Sequence, residues 1–200
     1  DLDTKKVIKD FLIGDPLVER QMYGSWATDN GHVIAGFSNG ELFDIDVVNA
    51  TAQKIEFPSN AIQPDFIWDV AQGDDADLYF GTYRSGQNKG GTVFKYNYKT
   101  KELKDYGVVK DSANYVRSIG YGNGKIYAGL GTGSGNNHIV EIDANNPKNK
   151  KDLPVNNLYA DDYNKVSFMA NLTVHNGYLY AVPESEKATS IHNEFFVFDI

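Results

Sequence analysis

The sequence is poor in several residue types that commonly carry chemistry. Its 200 residues include no cysteine, two methionines, two tryptophans and four histidines. The absence of thiols excludes a disulfide framework and thiolate metal sites, and it fits secreted and cytoplasmic proteins equally. No apolar run approaches the roughly 20 residues that a membrane-spanning helix needs. We therefore expect no membrane span and no cysteine-based site.

Positive charge is scarce as well. There are 19 lysines and arginines against 27 aspartates and glutamates, which gives a formal net charge of −8. Proteins that bind nucleic acid neutralise its phosphates with a basic surface, whereas the lysines here are spread over short segments such as residues 99–104 and 148–151. A nucleic acid partner is therefore not expected. Nothing in the composition divides the chain, so residues 1–200 are expected to form a single domain or a fragment of one.

What the sequence does contain is a pattern repeated four times. We align the copies on one position, the anchor, which is a glycine in three copies and a valine in the fourth: Gly36, Gly81, Gly129 and Val182. A short turn precedes each anchor, and in three copies it is Asn-Gly, the strongest short signal for a β-hairpin. The turns are Asn30-Gly31, Asp75-Ala76, Asn123-Gly124 and Asn176-Gly177. The pattern therefore predicts a strand on each side of every turn.

A third strand follows each anchor. Its residues alternate in character with the period of two that is typical of strands, and the segments end at Asp46, Asn97, Asp143 and Asp199. A more polar fourth segment completes each copy, and successive anchors are 45, 48 and 53 residues apart. Spacing of this size, with about four strands in each copy, is typical of propeller blades.

On these residues the chain resembles the superfamily of repeat β-propellers, of the Kelch, YVTN and quinoprotein-like types, and among them secreted bacterial propeller domains. The resemblance covers the whole chain at the level of the blade pattern. It implies an all-β fold, a β-propeller of four-stranded antiparallel blades with about four blade units in this chain. It implies little about function, because propellers host hydrolases, lyases, dehydrogenases and binding scaffolds.

The blade units are expected at residues 23–57, 66–109, 115–155 and 166–200, with residues 1–13 as the outer hairpin of a further blade. Two arrangements fit this division. In one, the end of the chain pairs with residues 1–13 and closes a small ring, which removes the open sheet edges. In the other, the chain is an arc of a larger propeller and leaves blade faces open, through which copies of the chain would self-associate.

One face of the disc is expected to carry binding. The connection between the second and third strands is long in three copies, at residues 82–91, 130–137 and 183–193. Insertions at one repeated position map to one face, which is often the binding face. The candidate binding residues there are aromatic residues and arginines, which suit a sugar or an acidic glycan by ring stacking and guanidinium contacts. They are Trp68, Tyr83, Arg84, Tyr115, Arg117 and Tyr159.

We expect Arg84, Tyr115 and Arg117 to be the most exposed of these residues. The structural alternative is that the tryptophans, Trp26 and Trp68, fill space between blades and that the arginines form ion pairs within the fold.

Signals for catalysis and for metals are weak. Only His138 and His192 border the long connections, where they would serve a polysaccharide lyase as acid or base. The acidic residues 74–77 match no spaced calcium loop, and the glycine-rich residues 131–135 lead into a strand rather than into a helix that would bind phosphate. We therefore expect no catalytic residue, no cofactor and no metal site.

The sequence thus favours a non-catalytic binding or interaction module, extracellular or on a bacterial cell surface, whose ligand is a glycan or an anionic polysaccharide. Two alternatives remain open. The chain is part of a propeller-type polysaccharide lyase or hydrolase, or it is a protein-docking or adhesin scaffold. A cytoplasmic location also remains open, because the absence of cysteine fits both compartments.

Overall fold

The computed structural model describes residues 6–7, 9–59, 61–85, 90–111, 113–131, 139–153, 168–184 and 195–200. These residues form strands and turns without a helix, so none of their segments is a helix that could cross a membrane. The strands are β1 (Met22–Ala27), β2 (His32–Phe37), β3 (Leu42–Asp46), β4 (Thr51–Lys54), β5 (Phe66–Gln72), β6 (Asp77–Arg84), β7 (Gly90–Asn97), β8 (Leu103–Val108), β9 (Tyr115–Gly122), β10 (Lys125–Gly131), β11 (Ile139–Asp143), β12 (Lys150–Leu153), β13 (Phe168–His175), β14 (Tyr178–Glu184) and β15 (Phe196–Asp199).

Neighbouring strands pair antiparallel and in chain order within four units. Blade one consists of β1 to β4, blade two of β5 to β8, blade three of β9 to β12, and blade four of β13 to β15. The predicted all-β fold of four-stranded antiparallel blades is confirmed. The boundaries expected at residues 155 and 166 lie outside the described residues.

The predicted hairpin turns join the first and second strands of the blades. Asn123 and Gly124 have φ angles of 53° and 72°, and Asn176 and Gly177 have 51° and 79°. Two consecutive positive φ values are what a two-residue hairpin with the twist of its strands requires. Asparagine tolerates this conformation and glycine adopts it without a steric cost.

The blades pack face to face through the anchor glycines. A β-carbon added to Gly36 would lie 2.3 Å from Cγ2 of Ile67, a residue of the next blade with no exposed surface. The glycine therefore leaves the space that a hydrophobic side chain from the next blade fills. The same relation holds at all three interfaces, where the pairs are Gly36 with Ile67, Gly81 with Val116, and Gly129 with Met169.

The hydrophobic core is divided among these interfaces. Ile34 and Leu42 of blade one pack with Phe80 and Phe94 of blade two, and comparable clusters join blade two to blade three and blade three to blade four. Stability therefore depends on each blade being covered by its neighbour.

The prediction of an outer hairpin at residues 1–13 is wrong for the part of it that is described, because residues 6–7 and 9–13 form no strand. Phe11 and Ile13 instead pack on the face of blade one that points away from blade two, against Phe43 and Ile45. That face is apolar, and the side chains of Phe11 and Ile13 cover part of it although residues 9–13 form no strand.

The described blades form an open arc. Phe195 and Val197 of blade four are 60% and 53% exposed, Met22 of blade one is 53% exposed, and β15 pairs with β14 alone among the described strands. The small closed ring is therefore not formed by these residues, and the alternative arrangement, an arc, describes them. Residues 1–5 and 8 of the segment 1–13, which was to close the ring, lie outside the described residues.

Candidate functional site

Each innermost strand carries a β-bulge at the same place. In blade one, Met22 pairs with Phe37 and Gly24 pairs with Gly36, so that Tyr23 has no partner across the ladder. The same shift leaves one residue unpaired in each of the other blades: Trp68, Arg117 and Ala170. A bulge bends its strand and re-aims a side chain, and bulges are frequent beside functional sites. All four bulges lie near the first residues of the inner strands, beside the last residues of the second strands.

Trp68, at the bulge of blade two, contacts the side chains at the bulges of blades one and three. The ring centroids of Tyr23 and Trp68 are 5.4 Å apart and edge to face, and Cζ of Arg117 lies 4.5 Å from the centroid of the Trp68 ring. Phe66 stacks on Trp68 at 3.9 Å, and Tyr115 lies 6.1 Å from it. We call these five residues the bulge cluster. Trp68 is its centre, because it contacts the other four.

The bulge cluster is partly open to solvent. Tyr23 is 44% exposed, and Trp68, Tyr115 and Arg117 are half-buried. A guanidinium over an indole is stabilised by about 0.5–2 kcal/mol, depending on its exposure. This contact fixes the orientation of Arg117 before any ligand binds. The cluster therefore presents aromatic surface and a preoriented cation side by side.

The indole N–H of Trp68 is a buried polar group of this cluster. Its Nε1 atom is buried and has no hydrogen-bond acceptor among the described residues. A buried donor without an acceptor costs about 1–3 kcal/mol. An acceptor on a bound molecule that reaches this nitrogen would remove that cost.

Asp69 follows the bulge of blade two and holds the inner strands beneath the cluster. Its Oδ1 accepts a hydrogen bond from the N–H of Val70 at 2.8 Å, and its Oδ2 accepts one from the N–H of Ile119 in blade three at 2.9 Å. Burial raises the pKa of the Asp69 carboxyl, and these backbone donors together with the charge of Arg117 oppose the rise. Because both oxygens hold backbone groups, Asp69 positions the bulges of two neighbouring blades.

The structure brings together three of the six predicted binding residues, namely Trp68, Tyr115 and Arg117. Tyr83 lies next to them, because its backbone pairs with Phe66 on one side and with Tyr115 of blade three on the other. Tyr159 lies outside the described residues.

The exposure predicted for Arg84 is wrong. Strand β6 continues to Arg84, which pairs with Gly90, so the residue belongs to a strand and not to the long connection. Its side chain is buried, and Nη2 lies 2.7 Å from Oδ2 of Asp105 in β8. Arg84 therefore forms an ion pair inside blade two, which is the structural alternative. Of the connection predicted over residues 82–91, residues 82–84 belong to β6 and residues 90–91 to β7.

The site also contains two residues that were not among the predicted contacts, Tyr23 and Phe66. Tyr23 and Trp68 both stand thirteen residues before their anchors, and Arg117 stands twelve before its own, so an alignment of the inner strands at this offset would have found Tyr23. No comparable signal marks Phe66. Trp26 packs on the core between blades one and two, as the structural alternative predicts.

The described histidines lie away from the bulge cluster. His32 adjoins the first hairpin turn at the opposite end of its blade, where Nδ1 is 2.6 Å from Oδ1 of Asp44. His138 and His192 lie outside the described residues. Within the part of the chain that the structure describes, no group of three or more histidine, aspartate or glutamate side chains is placed to hold a metal ion.

No family model and no curated protein matches this sequence. Solved structures match it by shape. The tricorn protease matches with a TM-score of 0.56 and 15% identity over 99% of this chain and 18% of its own. A catalytically inactive virginiamycin B lyase from Staphylococcus aureus, solved with quinupristin, matches with a TM-score of 0.58 and 14% identity over 90% of this chain and 56% of its own.

The extracellular domain of the hybrid two component system BT4673 from B. thetaiotaomicron matches with a TM-score of 0.58 and 17% identity. The match covers 86% of this chain and 21% of that one. The chain thus spans between about a fifth and somewhat more than half of the length of these structures. At such low identity the likeness concerns the fold alone, and these proteins are of the propeller type. The chain has a β-propeller fold.

Proposed function

We propose that this β-propeller chain is a non-catalytic extracellular binding module that takes a glycan, in particular an anionic polysaccharide, at the bulge cluster. The observation that carries the proposal is the meeting of Tyr23, Trp68 and Arg117 from the bulges of three successive blades. Folding does not require three re-aimed side chains to converge, whereas a binding site does. The extracellular domain of BT4673 among the structural neighbours supports the proposed location.

The chemistry of the cluster suits a sugar that carries a carboxylate. Aromatic rings offer flat apolar faces to the C–H groups of a sugar ring, and the planar guanidinium of Arg117 matches a carboxylate with two parallel hydrogen bonds. The indole N–H of Trp68, which has no acceptor among the described residues, would donate to a sugar hydroxyl that reaches it. The net charge of −8 opposes binding of a polyanion at long range. Recognition therefore depends on these short-range contacts.

We further propose that the chain is one propeller domain or a part of a larger one. The neighbours that it matches are longer, and among the described residues Phe195 and Val197 of blade four are exposed.

The test is binding of polygalacturonate, with a neutral polysaccharide such as dextran as comparison, by isothermal titration calorimetry at several salt concentrations. Arg117→Met should weaken binding of polygalacturonate by about 10- to 100-fold, because a charge-assisted hydrogen bond is worth about 1.5–3 kcal/mol. It should also make binding less dependent on salt. Trp68→Ala should weaken binding of both kinds of polysaccharide.

Lys125→Met is the matched control, because it removes one positive charge beside the Asn123-Gly124 turn at the opposite end of blade three. It should leave binding unchanged. Equal affinity of the unmodified chain and the Arg117→Met variant would contradict the proposed site. Cleavage of polygalacturonate by the chain would contradict its non-catalytic nature and favour the lyase alternative. Absence of binding across a glycan array, with retention of a protein in pull-downs, would favour the docking scaffold.

A further inference from the structure

On one face of blade four, large apolar residues stand at positions that are buried between blades in the rest of the chain. Two residues before the anchors stand Ile34, Tyr79 and Tyr127 in blades one to three, and they are 0–3% exposed. Opposite the anchors stand Leu42, Val93 and Ile139, which are fully buried. The corresponding residues of blade four are Tyr180 and Phe195, because Ala181 pairs with Phe196 in the same register.

The same positions are uncovered in blade four. Phe195 is 60% exposed, Val197 is 53% exposed and the anchor Val182 is 37% exposed. Asn171, Thr173, Tyr180, Val182 and Phe195 line a groove of about 320 Å³ on this side. We call this surface the open face of blade four. A contiguous apolar surface of this kind marks an interaction site, and none of the described residues that line it is charged.

We propose that the open face of blade four binds a further four-stranded blade whose inner strand presents a small residue, Gly, Ala or Ser, at the position of Ile67, Val116 and Met169. The occupant is inferred to be a blade, because the equivalent faces of blades one, two and three are each covered by the next blade. The anchor residue of blade four differs from the other three. Glycine at the other anchors leaves room for a large residue, whereas the side chain of Val182 already fills that room.

Blade one of this chain does not meet the requirement. The residue of blade one that corresponds to Ile67 is Met22, which is large and 53% exposed. Met22 against Val182 would bring two large side chains to a point where every covered interface has a glycine. The occupant is therefore neither blade one in a closed ring nor blade one of a second copy.

The test supplies a blade to the open face. Residues 99–153 are appended after Ile200, so that Ile200 takes the place of Tyr98. The two residues are equivalent, because the N–H of Tyr98 donates a hydrogen bond to the carbonyl of Ala76 and the N–H of Ile200 donates one to the carbonyl of Gly177, each in the first turn of its blade. The added segment holds the sequences of β8 to β12 and hence a fourth strand and a complete blade. One version keeps Val116 in the added segment and the other carries Val116→Ala there.

The measurement is the labelling rate of a single thiol by a maleimide, which a chain without cysteine permits. Val197→Cys on the open face should label about tenfold more slowly when the added blade carries Val116→Ala. With Val116 kept in the added blade, it should label as fast as in the chain of 200 residues. Val48→Cys, on the exposed turn of blade one, should label equally fast in every version.

A second variant tests whether the added blade folds and can cover the open face. Val182→Gly combined with the added Val116 recreates the covered type of interface and should protect Val197→Cys. Fast labelling in all versions would overturn the proposal. Equal protection by the Val116 and Val116→Ala blades would overturn the small-residue requirement. Protection in the chain of 200 residues that rises with protein concentration would identify a second copy as the occupant and overturn the proposal as well.

Discussion

The interface between blades one and two provides a direct test of the role of the anchor glycines, through the substitution Gly36→Ala. The added β-carbon would lie 2.3 Å from Cγ2 and 2.8 Å from Cβ of Ile67, where ordinary contact begins at 3.4 Å. Ile67 must therefore move by about 1.1 Å at a fully buried position. Overpacking of this kind costs about 1–3 kcal/mol.

The sign of the effect makes the test decisive. Gly36 has no positive φ, so alanine fits its backbone, and by restricting the unfolded chain it would stabilise the protein by about 0.4–1 kcal/mol if space were available. We expect instead that Gly36→Ala lowers the free energy of unfolding by about 2 kcal/mol. For a chain of this length the melting temperature then falls by about 4–8 °C. Urea and thermal denaturation followed by circular dichroism measure both quantities.

Two further variants separate the steric cause from others. Gly120→Ala is the matched control, since a β-carbon there would lie 3.3 Å from Cγ2 of Val174 and 3.8 Å from Leu172 and Leu179, without the severe overlap at Gly36. It should change stability by less than about 1 kcal/mol. Ile67→Ala removes the clashing methyl group, so its cost and that of Gly36→Ala should sum to more than the cost of the double variant, by about 1 kcal/mol. Strict additivity, or a Gly36→Ala variant as stable as the parent, would refute the reasoning.

Two other predictions concern buried charge. Arg84→Met should destabilise the protein by about 3 kcal/mol in urea denaturation, because Asp105 loses its buried partner, while polygalacturonate affinity stays unchanged; a loss of affinity in a stable variant would contradict this. Asp69→Asn tests the raised pKa of Asp69. The folded carboxyl holds its proton more tightly than the unfolded one, so the parent should lose stability relative to the variant as pH rises from the ordinary pKa of 3.8 through the raised value. A difference in stability between the two chains that does not vary with pH would contradict it.

The blades could be predicted from the sequence because their signals are local. Asn123-Gly124 and Asn176-Gly177 specify a hairpin within four residues, and the alternation that ends at Asp143 or Asp199 specifies the strand that follows. Spacing of the anchors then orders the hairpins into repeated units. None of these steps requires knowledge of residues far apart in the chain.

The candidate site was predictable only in part, because pairing between strands decides its geometry. Trp68 and Arg117 were identifiable by residue type, but the bulges that turn them toward each other arise from a one-residue shift between the first and second strands. Arg84 was misplaced for the same reason. Its strand is longer than its turn signals indicate, since Gly90 continues the ladder opposite it.

The repeat itself separates what folding requires from what binding uses. The residue before each bulge, which is Met22, Ile67, Val116 or Met169, is large and apolar in all four blades, and three of these side chains fill the space beside an anchor glycine. The bulge residue directly after it differs in every blade: Tyr23, Trp68, Arg117 and Ala170. Packing between blades restrains the first position and leaves the second free to vary. Trp68 nonetheless contacts Tyr23 and Arg117, the side chains at this unrestrained position in both neighbouring blades. This convergence, which the fold does not need, is the physical argument for a binding site at the bulge cluster.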